Sequence, residues 1–317
     1  MNSIVSAFRS DPSGTPPKQH GAVPMLELND GHKIPMLAYG LGTANSEYAD
    51  DDVIKATTTA IKAGFFHLDG AEKYGNEKEL GKAIAKSGID RSALYVVTKL
   101  DNKPEHIGQV DKIFTGSLER LGLDYVDLYL VHHPAMAGGD PARLQSLWAE
   151  VEAVHASGRA RSIGISNFLA DDIEMLFSGG TNPPKVIPAI NQVEFHPYYQ
   201  RQEVVKACRD RGIAVSAYAL LSPVIRVPDG PLHTSGLLAG LAKKYGVHEA
   251  DVLLRWCIDQ GIVAITTSSN ETRINSYICN IPNFKLTPKE VEDISAKGGE
   301  AFHRCFWTNK FAEGDTR

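Results

Sequence analysis

Short apolar runs alternate along the chain with longer segments in which apolar residues recur every three or four positions. The short runs lie near Tyr39, Phe66, Val96, Leu128, Ile163, Ile190, Val215 and Ala264. Such runs are typical of strands that are buried on both faces of a sheet. A strand followed by a helix, repeated at intervals of roughly 30 residues, predicts parallel βαβ units. Eight such units predict an α/β fold, the (β/α)8 TIM barrel.

The longer segments have the spacing of helices with one buried face. One apolar stripe consists of Val110, Ile113, Phe114, Ser117, Leu118 and Leu121. A second stripe consists of Leu144, Leu147, Trp148, Val151 and Val154. Gly122 and Gly158 follow these stripes, at positions where helices commonly end in a left-handed residue. We therefore expect helices that end near these two glycines.

The chain divides into a short leading segment and one long domain. Residues 1–21 are rich in Ser, Pro and Gly and are predicted to form a flexible extension. Residues 22–317 show no internal linker and are predicted to form a single barrel domain. Residues 25–28 and 32–35 flank an Asn-Asp-Gly turn and predict a β-hairpin before the barrel. After the seventh strand we expect a substrate loop at residues 222–236, followed by two helical segments.

Composition and charge restrict the class of partner. Hydrophobic residues make up 43% of the chain and charged residues 22%, a balance typical of globular proteins. The net charge of −5 gives no electrostatic basis for binding nucleic acid or an anionic membrane. We therefore expect a small-molecule partner, with no nucleic acid and no membrane. The four cysteines are scattered, which predicts no disulfide framework and a cytoplasmic location.

Polar residues follow the predicted strands, on the side where barrel enzymes carry their active sites. Asp69 ends the second strand, Lys99 the third and His132 the fourth. The later strands end in Ser166 and Asn167, in Asn191 and Gln192, and in Tyr218. Because these strand ends meet at one rim of a barrel, we expect the side chains to converge on one site.

Tyr74 follows Asp69 closely in the sequence and is a candidate acid at that rim. A free tyrosine has a pKa of about 10, and a neighbouring cation lowers it. We expect Lys99 to lower the pKa of Tyr74, and Asp69 to hold Lys99 charged and in place. His132 would then orient a substrate oxygen. Such a site suits protonation of a carbonyl oxygen while hydride reaches the carbonyl carbon.

Simpler structural roles compete with this interpretation. A lone tyrosine usually packs, a lone lysine is usually solvated, and Asp69 alone would cap the following helix. The pair His132 and His133 suggests a metal, but no further ligand has a suitable spacing, so no metal site is predicted. Residues 40–45 lack the third glycine of a dinucleotide-binding fingerprint, so any dinucleotide is expected to lie across the barrel mouth. Cys305 and Trp307 are either packing residues or part of a pocket lid.

Five blocks of the sequence together resemble the aldo-keto reductase family. They are residues 67–77 (HLDGAEKYGNE), 97–99 (VTK), 124–134 (DYVDLYLVHHP), 164–168 (GISNF) and 191–198 (NQVEFHPY). The resemblance extends over most of the chain. It implies a (β/α)8 barrel whose catalytic tetrad is Asp69, Tyr74, Lys99 and His132, with Tyr74 as the proton donor in reduction.

The same resemblance implies NADPH as the cofactor, with NADH use left open. The positions expected to contact it are Thr43, Asp69, Ser166, Asn167, Gln192, Tyr218, Leu221, Thr267, Ser268 and Arg273. The resemblance implies that Ser166, Asn167 and Gln192 hold the nicotinamide carboxamide and that Tyr218 stacks on the ring. A lysine that family members often carry before the adenosine-phosphate segment is absent. Ser268 and Arg273 are therefore expected to bind the 2′-phosphate.

Three further positions depart from the family pattern. Gly70 stands where threonine is common, His133 stands where tryptophan is common, and Ala44 lies near another usual aromatic position. We expect a wider and more polar pocket as a result. Residues 266–269 and the tail at 306–311 are similar to a branch that reduces conjugated dicarbonyls and α-keto lactones or amides.

The resemblance implies an enzyme that reduces an aldehyde or ketone to an alcohol with NADPH, on a metabolic or biosynthetic keto intermediate. A monomer is the expected state for this family. One alternative is a regulatory, redox-sensing subunit that binds the cofactor on the same barrel without turnover. Another is a barrel enzyme of unrelated chemistry, which would not bind NADPH.

Overall fold

A short antiparallel hairpin precedes the barrel. The structure, a computed structural model, describes residues 22–42, 49–312 and 315–316. The hairpin consists of β1 (Met25–Glu27) and β2 (Lys33–Pro35), with Leu26 paired to Ile34. Its turn contains Gly31 at φ 84°, a conformation that glycine adopts without steric cost. The predicted hairpin is confirmed, whereas the predicted extension at residues 1–21 lies outside the described residues.

Eight parallel strands form a closed barrel. They are β3 (Leu37–Gly40), β4 (His67–Asp69), β5 (Tyr95–Leu100), β6 (Val126–Val131), β7 (Ala160–Ser166), β8 (Ile190–Glu194), β9 (Ala214–Tyr218) and β10 (Val263–Thr266). Neighbours in sequence pair in order, and β10 closes the barrel on β3 through Thr266 and Tyr39. Most strand residues are buried, as expected for strands covered on both faces. The predicted TIM barrel is therefore confirmed.

Twelve helices are present in the described part of the chain. They are α1 (Asp50–Ala63), α2 (Glu77–Ser87), α3 (Val110–Leu121), α4 (Pro141–Ala156), α5 (Ala170–Ser178), α6 (Gln202–Asp210), α7 (Ser222–Ile225), α8 (Pro231–Thr234), α9 (Leu237–Tyr245), α10 (Glu249–Asp259), α11 (Glu271–Asn280) and α12 (Pro288–Gly298). Single 3-10 turns occur at Glu72–Tyr74, Arg91–Ala93, Pro104–His106, Pro134–Ala137, Ile281–Asn283 and Thr308–Lys310. The predicted stripe of α3 is buried at Phe114 and Leu121, and Gly122 ends the helix at φ 64°.

Two details differ from the expectation. The segment at residues 222–236 is not an irregular loop, because it contains the one-turn helices α7 and α8; the two helical segments expected after it are α9 and α10. Strand β8 continues to Glu194, so Asn191 and Gln192 lie within it and not at its end. Within the described residues, no helix is long and apolar enough to cross a membrane.

Candidate active site

A cavity of about 540 Å³ opens at the carboxyl ends of the barrel strands. Its polar lining includes Asp69, Tyr74, His132, Ser166, Asn167, Gln192, Tyr218 and Thr267. Its apolar lining includes Leu221, Ile265, Phe306 and Trp307. The side chains that sequence reasoning placed at one rim therefore largely converge, as expected for the loop face of a barrel.

Asp69, Lys99 and Tyr74 form a hydrogen-bonded chain at the bottom of this cavity. Lys99 donates from Nζ to Asp69 Oδ2 at 2.8 Å and to the carbonyl oxygen of Gly70 at 2.7 Å. The same Nζ lies 3.4 Å from the hydroxyl oxygen of Tyr74. The Lys99 side chain is completely buried. A third strand contributes Gln192, whose Nε2 donates to Asp69 Oδ1 at 2.8 Å.

Gly70 lies close to neighbouring atoms that leave little space for a side chain. A Cβ at this position would lie 3.0 Å from a Leu80 methyl carbon and 3.2 Å from the carbonyl oxygen of Val97. Both separations are tighter than ordinary packing contacts. Glycine therefore fits the space beside Asp69 better than the threonine common in relatives.

Burial dominates the electrostatics of the Tyr74 hydroxyl. Burial raises the pKa of Tyr74 well above its ordinary value, and the carboxylate of Asp69 raises it further. Burial also lowers the pKa of Lys99, against the opposing effect of Asp69. The expectation that Lys99 brings the pKa of Tyr74 below its ordinary value is therefore wrong, because burial outweighs the lysine. Tyr74 is a protonated hydroxyl over the whole physiological range.

His132 lies over the Tyr74 ring as a neutral imidazole. The two rings meet edge to face, with centroids 5.6 Å apart. Burial lowers the pKa of His132 well below its ordinary value, and Lys99 and Lys73 lower it further. Its Nδ1 is buried, and no hydrogen-bond partner for it exists among the described residues.

His133 lies outside the cavity lining, packed against Trp307. Its Nδ1 accepts a hydrogen bond from the backbone N–H of Ala135 at 3.0 Å. Its ring packs against Trp307, with centroids 4.4 Å apart, and His133 is absent from the residues that line the cavity. The wider pocket expected from His133 stays a prediction. Ala44 and Thr43 lie outside the described residues.

A hydrogen-bonded network of polar side chains lies at the carboxyl ends of strands β7 and β9 and reaches the backbone of β8. Tyr218 donates from its hydroxyl to Asn167 Oδ1 at 2.7 Å, and Asn167 Nδ2 donates to the carbonyl oxygen of His132 at 2.9 Å. Ser166 donates from Oγ to the carbonyl oxygen of Gln192 at 2.8 Å. Asn167 is held at φ 62°, a left-handed conformation that asparagine tolerates. Amide and hydroxyl groups are thereby fixed along one wall.

Asn191 belongs to a different environment from its neighbour Gln192. Its Nδ2 donates to the carbonyl oxygen of Phe168 at 3.0 Å, and it does not line the cavity. Successive strand residues point to opposite faces, so only one of the two can face the cavity. The expectation that Asn191 belongs to the rim site is wrong.

Ser268 and Arg273 lie just beyond the cavity wall formed by Thr267. Arg273 Nε donates to Ser268 Oγ at 3.3 Å, and the Arg273 side chain is exposed. Asn270 caps helix α11, accepting from the backbone N–H of Arg273 at 3.0 Å. A guanidinium, a hydroxyl and a helix N-terminus together form a donor set suited to a phosphate.

The C-terminal tail supplies one wall of the cavity, so Trp307, expected either to pack or to belong to a pocket lid, lines the pocket. Phe306 and Trp307 line the cavity, as do the cations Lys73 and Arg226. The carboxylate of Glu194, at the end of β8, accepts the backbone N–H groups of Cys305 at 2.6 Å and of Phe306 at 3.0 Å. These bonds join positions more than 100 residues apart, and the only local signal was an acidic residue in a buried strand.

The fold and the site define a class of barrel enzyme in which a buried lysine–carboxylate pair supports a tyrosine hydroxyl. The model of the aldo/keto reductase family matches residues 36–298. The chain belongs to this family, as its sequence motifs predicted, and it is an oxidoreductase that interconverts carbonyl and alcohol groups.

Three relatives illustrate the similarity. The NAD/NADP-dependent indole-3-acetaldehyde reductase of Schizosaccharomyces pombe is 34% identical over 292 residues, covering 89% of this chain and 98% of that protein. The morphine 6-dehydrogenase of Pseudomonas putida is 35% identical over 281 residues, covering 86% and 91%. The crystal structure of the Bombyx mori aldo-keto reductase in complex with NADP superimposes with a TM-score of 0.79 at 36% identity, covering 90% and 95%.

Proposed function

We propose that this protein reduces an aldehyde or ketone to an alcohol with NADPH, and that Tyr74 donates the proton. One observation carries the proposal: the hydroxyl of Tyr74 and the imidazole of His132 face one cavity, and Lys99 lies behind the hydroxyl, bonded to Asp69. NADPH supplies a hydride to the carbonyl carbon when it is bound. The protein's own groups must then bind the carbonyl oxygen and deliver a proton to it.

The residues assigned to the cofactor fit its chemistry. Tyr218 presents an aromatic ring to the cavity, and its hydroxyl is tied to Asn167. Ser166, Asn167 and Gln192 offer hydroxyl and amide groups for a carboxamide, while Leu221 and Thr267 continue the wall. Asp69 also lines the cavity.

Ser268 and Arg273 would hold the 2′-phosphate that distinguishes NADPH from NADH. Charge-assisted hydrogen bonds from a guanidinium to a phosphate are among the stronger polar contacts in proteins. The Schizosaccharomyces pombe relative is named for both NAD and NADP, and the Bombyx mori structure contains NADP. These relatives support NADP(H) as the cofactor and leave some NADH use open.

Tyr74 would act as the general acid. Its raised pKa makes it a weak acid in the resting site, but the oxygen that receives the hydride becomes an alkoxide, a much stronger base than a tyrosinate. Proton transfer from Tyr74 is therefore favourable once hydride arrives. Lys99 Nζ, 3.4 Å from the hydroxyl oxygen, would then stabilise the tyrosinate that forms.

His132 would orient the substrate. Because its imidazole is neutral, it can donate one hydrogen bond to the carbonyl oxygen without competing with Tyr74 as an acid. Asp69 would act indirectly, by holding Lys99 in position through the bond from Nζ to Oδ2. We propose Asp69, Tyr74, Lys99 and His132 as the catalytic group on this basis.

We also propose a class of substrate. The apolar wall at Phe306 and Trp307 and the cations Lys73 and Arg226 favour a carbonyl compound with apolar and polar parts, such as a dicarbonyl or an α-keto lactone or amide. A metabolic or biosynthetic intermediate fits this description.

We further propose that residues 22–317 act as a single domain and as a cytoplasmic monomer.

The decisive experiment is NADPH consumption by the purified protein with aldehydes, simple ketones and activated α-dicarbonyls. Tyr74→Phe serves as the paired variant, because it removes only the hydroxyl. Turnover that falls by a factor of about 100 or more in Tyr74→Phe is expected. Full activity in Tyr74→Phe would reject the acid role. Saturable NADPH binding without turnover on any substrate would favour the regulatory subunit, and absence of NADPH binding would favour unrelated chemistry.

A further inference from the structure

A mixed cluster of metal-ligating side chains lies beside the cavity, separate from the proposed catalytic group. It consists of Glu194 at the end of β8, His196 two residues later, and Cys305 in the C-terminal tail. One ligand atom from each lies within 4.8 Å of the other two. Glu194 and His196 are almost completely buried, and Cys305 is half-buried. Glu194 and His196 are two residues apart, but Cys305 follows more than 100 residues later, so the convergence of the three is a property of the fold.

The three donors belong to three chemical types. They are a carboxylate oxygen, an imidazole nitrogen and a thiol sulfur. Ca²⁺ and Mg²⁺ select oxygen ligands, whereas Zn²⁺ accepts all three types in tetrahedral sites. The donor set therefore favours zinc or a similar late transition metal over the alkaline-earth cations.

The spacing of two of these donors fits a tetrahedral ion. His196 Nε2 lies 3.3 Å from Glu194 Oε1, which is long for an N–H···O hydrogen bond. Bonds of about 2.0–2.1 Å to a tetrahedral zinc place two such ligand atoms about 3.3 Å apart. The upper limit of 4.8 Å leaves the sulfur of Cys305 within a small side-chain adjustment of the same tetrahedron.

The surroundings engage Glu194, whose Oε1 accepts the backbone N–H of Cys305 at 2.6 Å, but leave one nitrogen of His196 without a partner in the described part of the chain. That nitrogen, Nδ1, is buried. The other ring nitrogen, Nε2, faces Glu194, and the ring contacts the rings of Tyr199 and His303. Buried polar atoms of this kind usually have a partner or a function. Ser222 donates from Oγ to the carbonyl oxygen of Ala219 at 2.7 Å, and its oxygen lies 3.1 Å from Cys305 Sγ. The hydroxyl oxygen of Ser222 is thus a fourth donor beside the sulfur.

We propose that Glu194, His196 and Cys305 bind one Zn²⁺ ion, with Ser222 or water as the fourth ligand. Binding forms bonds from zinc to oxygen, nitrogen and sulfur and releases the thiol proton to solvent, with no change of oxidation state. Because Cys305 precedes Phe306 and Trp307, the ion ties the tail wall of the cavity to strand β8. The site thereby links metal binding to the shape of the substrate cavity.

The test is zinc titration of the chelator-treated full-length protein by calorimetry, in parallel with Cys305→Ser and Cys279→Ser. Cys279 is exposed and outside the cluster, so its variant is the matched control. Wild type and Cys279→Ser are expected to bind one equivalent. Cys305→Ser is expected to bind at least roughly tenfold more weakly, since even changes in the outer shell of a metal site cause losses of that size.

Cobalt provides a second readout, which depends neither on enzyme activity nor on the stability of the variants. Co²⁺ should give a thiolate charge-transfer absorption in wild type and Cys279→Ser but not in Cys305→Ser. At the same zinc concentration, the thermal midpoint should also rise more in wild type and Cys279→Ser than in Cys305→Ser. Absence of stoichiometric zinc binding by wild type, or equal zinc affinity in Cys305→Ser, would overturn the proposal.

Discussion

Lys99 Nζ lies 2.8 Å from Asp69 Oδ2, and neither side chain has appreciable contact with solvent. Taking two charges out of water costs several kcal/mol for each ion, and their mutual attraction offsets that cost only while both are present. The second oxygen of Asp69 accepts from Gln192, so the carboxylate is fully engaged. The pair therefore supports the fold as well as the position of Lys99 beneath Tyr74.

Replacing Asp69 by asparagine should destabilise the protein substantially. Asp69→Asn leaves the ammonium group of Lys99 buried without its counter-charge, and a loss of about 3 kcal/mol in the free energy of unfolding is expected. Urea denaturation at pH 7.5 measures it. The control is Asp111→Asn, since Asp111 pairs with Arg159 at the surface and is 74% exposed. That control should change stability by less than about 0.5 kcal/mol; a similar loss in both variants would contradict the argument.

The barrel and most rim residues could be predicted from the sequence because strands buried on both faces leave apolar runs, and each run marks a strand end. The sequence did not predict as well which face of its strand each residue occupies. Asn191 and Gln192 are adjacent, yet only Gln192 faces the cavity, because β8 continues to Glu194 and its side chains alternate.

Other features depend on contacts that leave no local pattern. The bonds from Glu194 to the backbone of Cys305 and Phe306 build one cavity wall from distant parts of the chain. The pKa of Tyr74 depends on the depth of burial, which outweighs a lysine 3.4 Å away. Neither effect could be read from the spacing of residues in the sequence.

The pH dependence of reduction should show a broad plateau. Tyr74 must be protonated to act as an acid, and burial raises its pKa well above the ordinary value, so it stays protonated in alkaline solution. His132 is neutral throughout this range, because its pKa is lowered. With saturating NADPH, kcat/KM for the carbonyl should be flat from about pH 6.5 to 9. NADPH affinity measured at each pH is the control, and a decline with a midpoint below pH 9 at constant affinity would contradict the raised pKa of Tyr74.

Stability should fall in weak acid partly because of His133. Burial lowers its pKa to about 4, assisted by Lys310 and Lys73. Between that value and the unfolded pKa of about 6.5, only the unfolded chain binds the proton, so the free energy of unfolding decreases as pH falls. One such group contributes a slope of up to about 1.4 kcal/mol per pH unit.

The variant His133→Asn isolates this contribution. Asparagine does not titrate, and its side-chain oxygen can accept the N–H of Ala135 that His133 Nδ1 accepts in the native protein. Urea unfolding between pH 4.5 and 7.5 should therefore show a shallower dependence for the variant. Any loss at pH 7.5 reports the lost packing against Trp307 and any weakening of the bond from Ala135. An unchanged slope would mean that His133 is protonated in the folded state.

Cofactor choice should depend on Arg273. Its exposed guanidinium contacts Ser268 and would contact the 2′-phosphate, which NADH lacks. Hydrogen bonds to charged groups contribute about 1.5–3 kcal/mol, so Arg273→Ala should weaken NADPH binding by roughly 10- to 100-fold and leave NADH binding nearly unchanged. Fluorescence titration with both cofactors measures the two affinities. Arg143→Ala removes the same charge from an exposed helix position outside the cavity lining and should change neither affinity. Equal weakening of NADPH and NADH in Arg273→Ala would show that the residue supports the fold of this segment and does not recognise the phosphate.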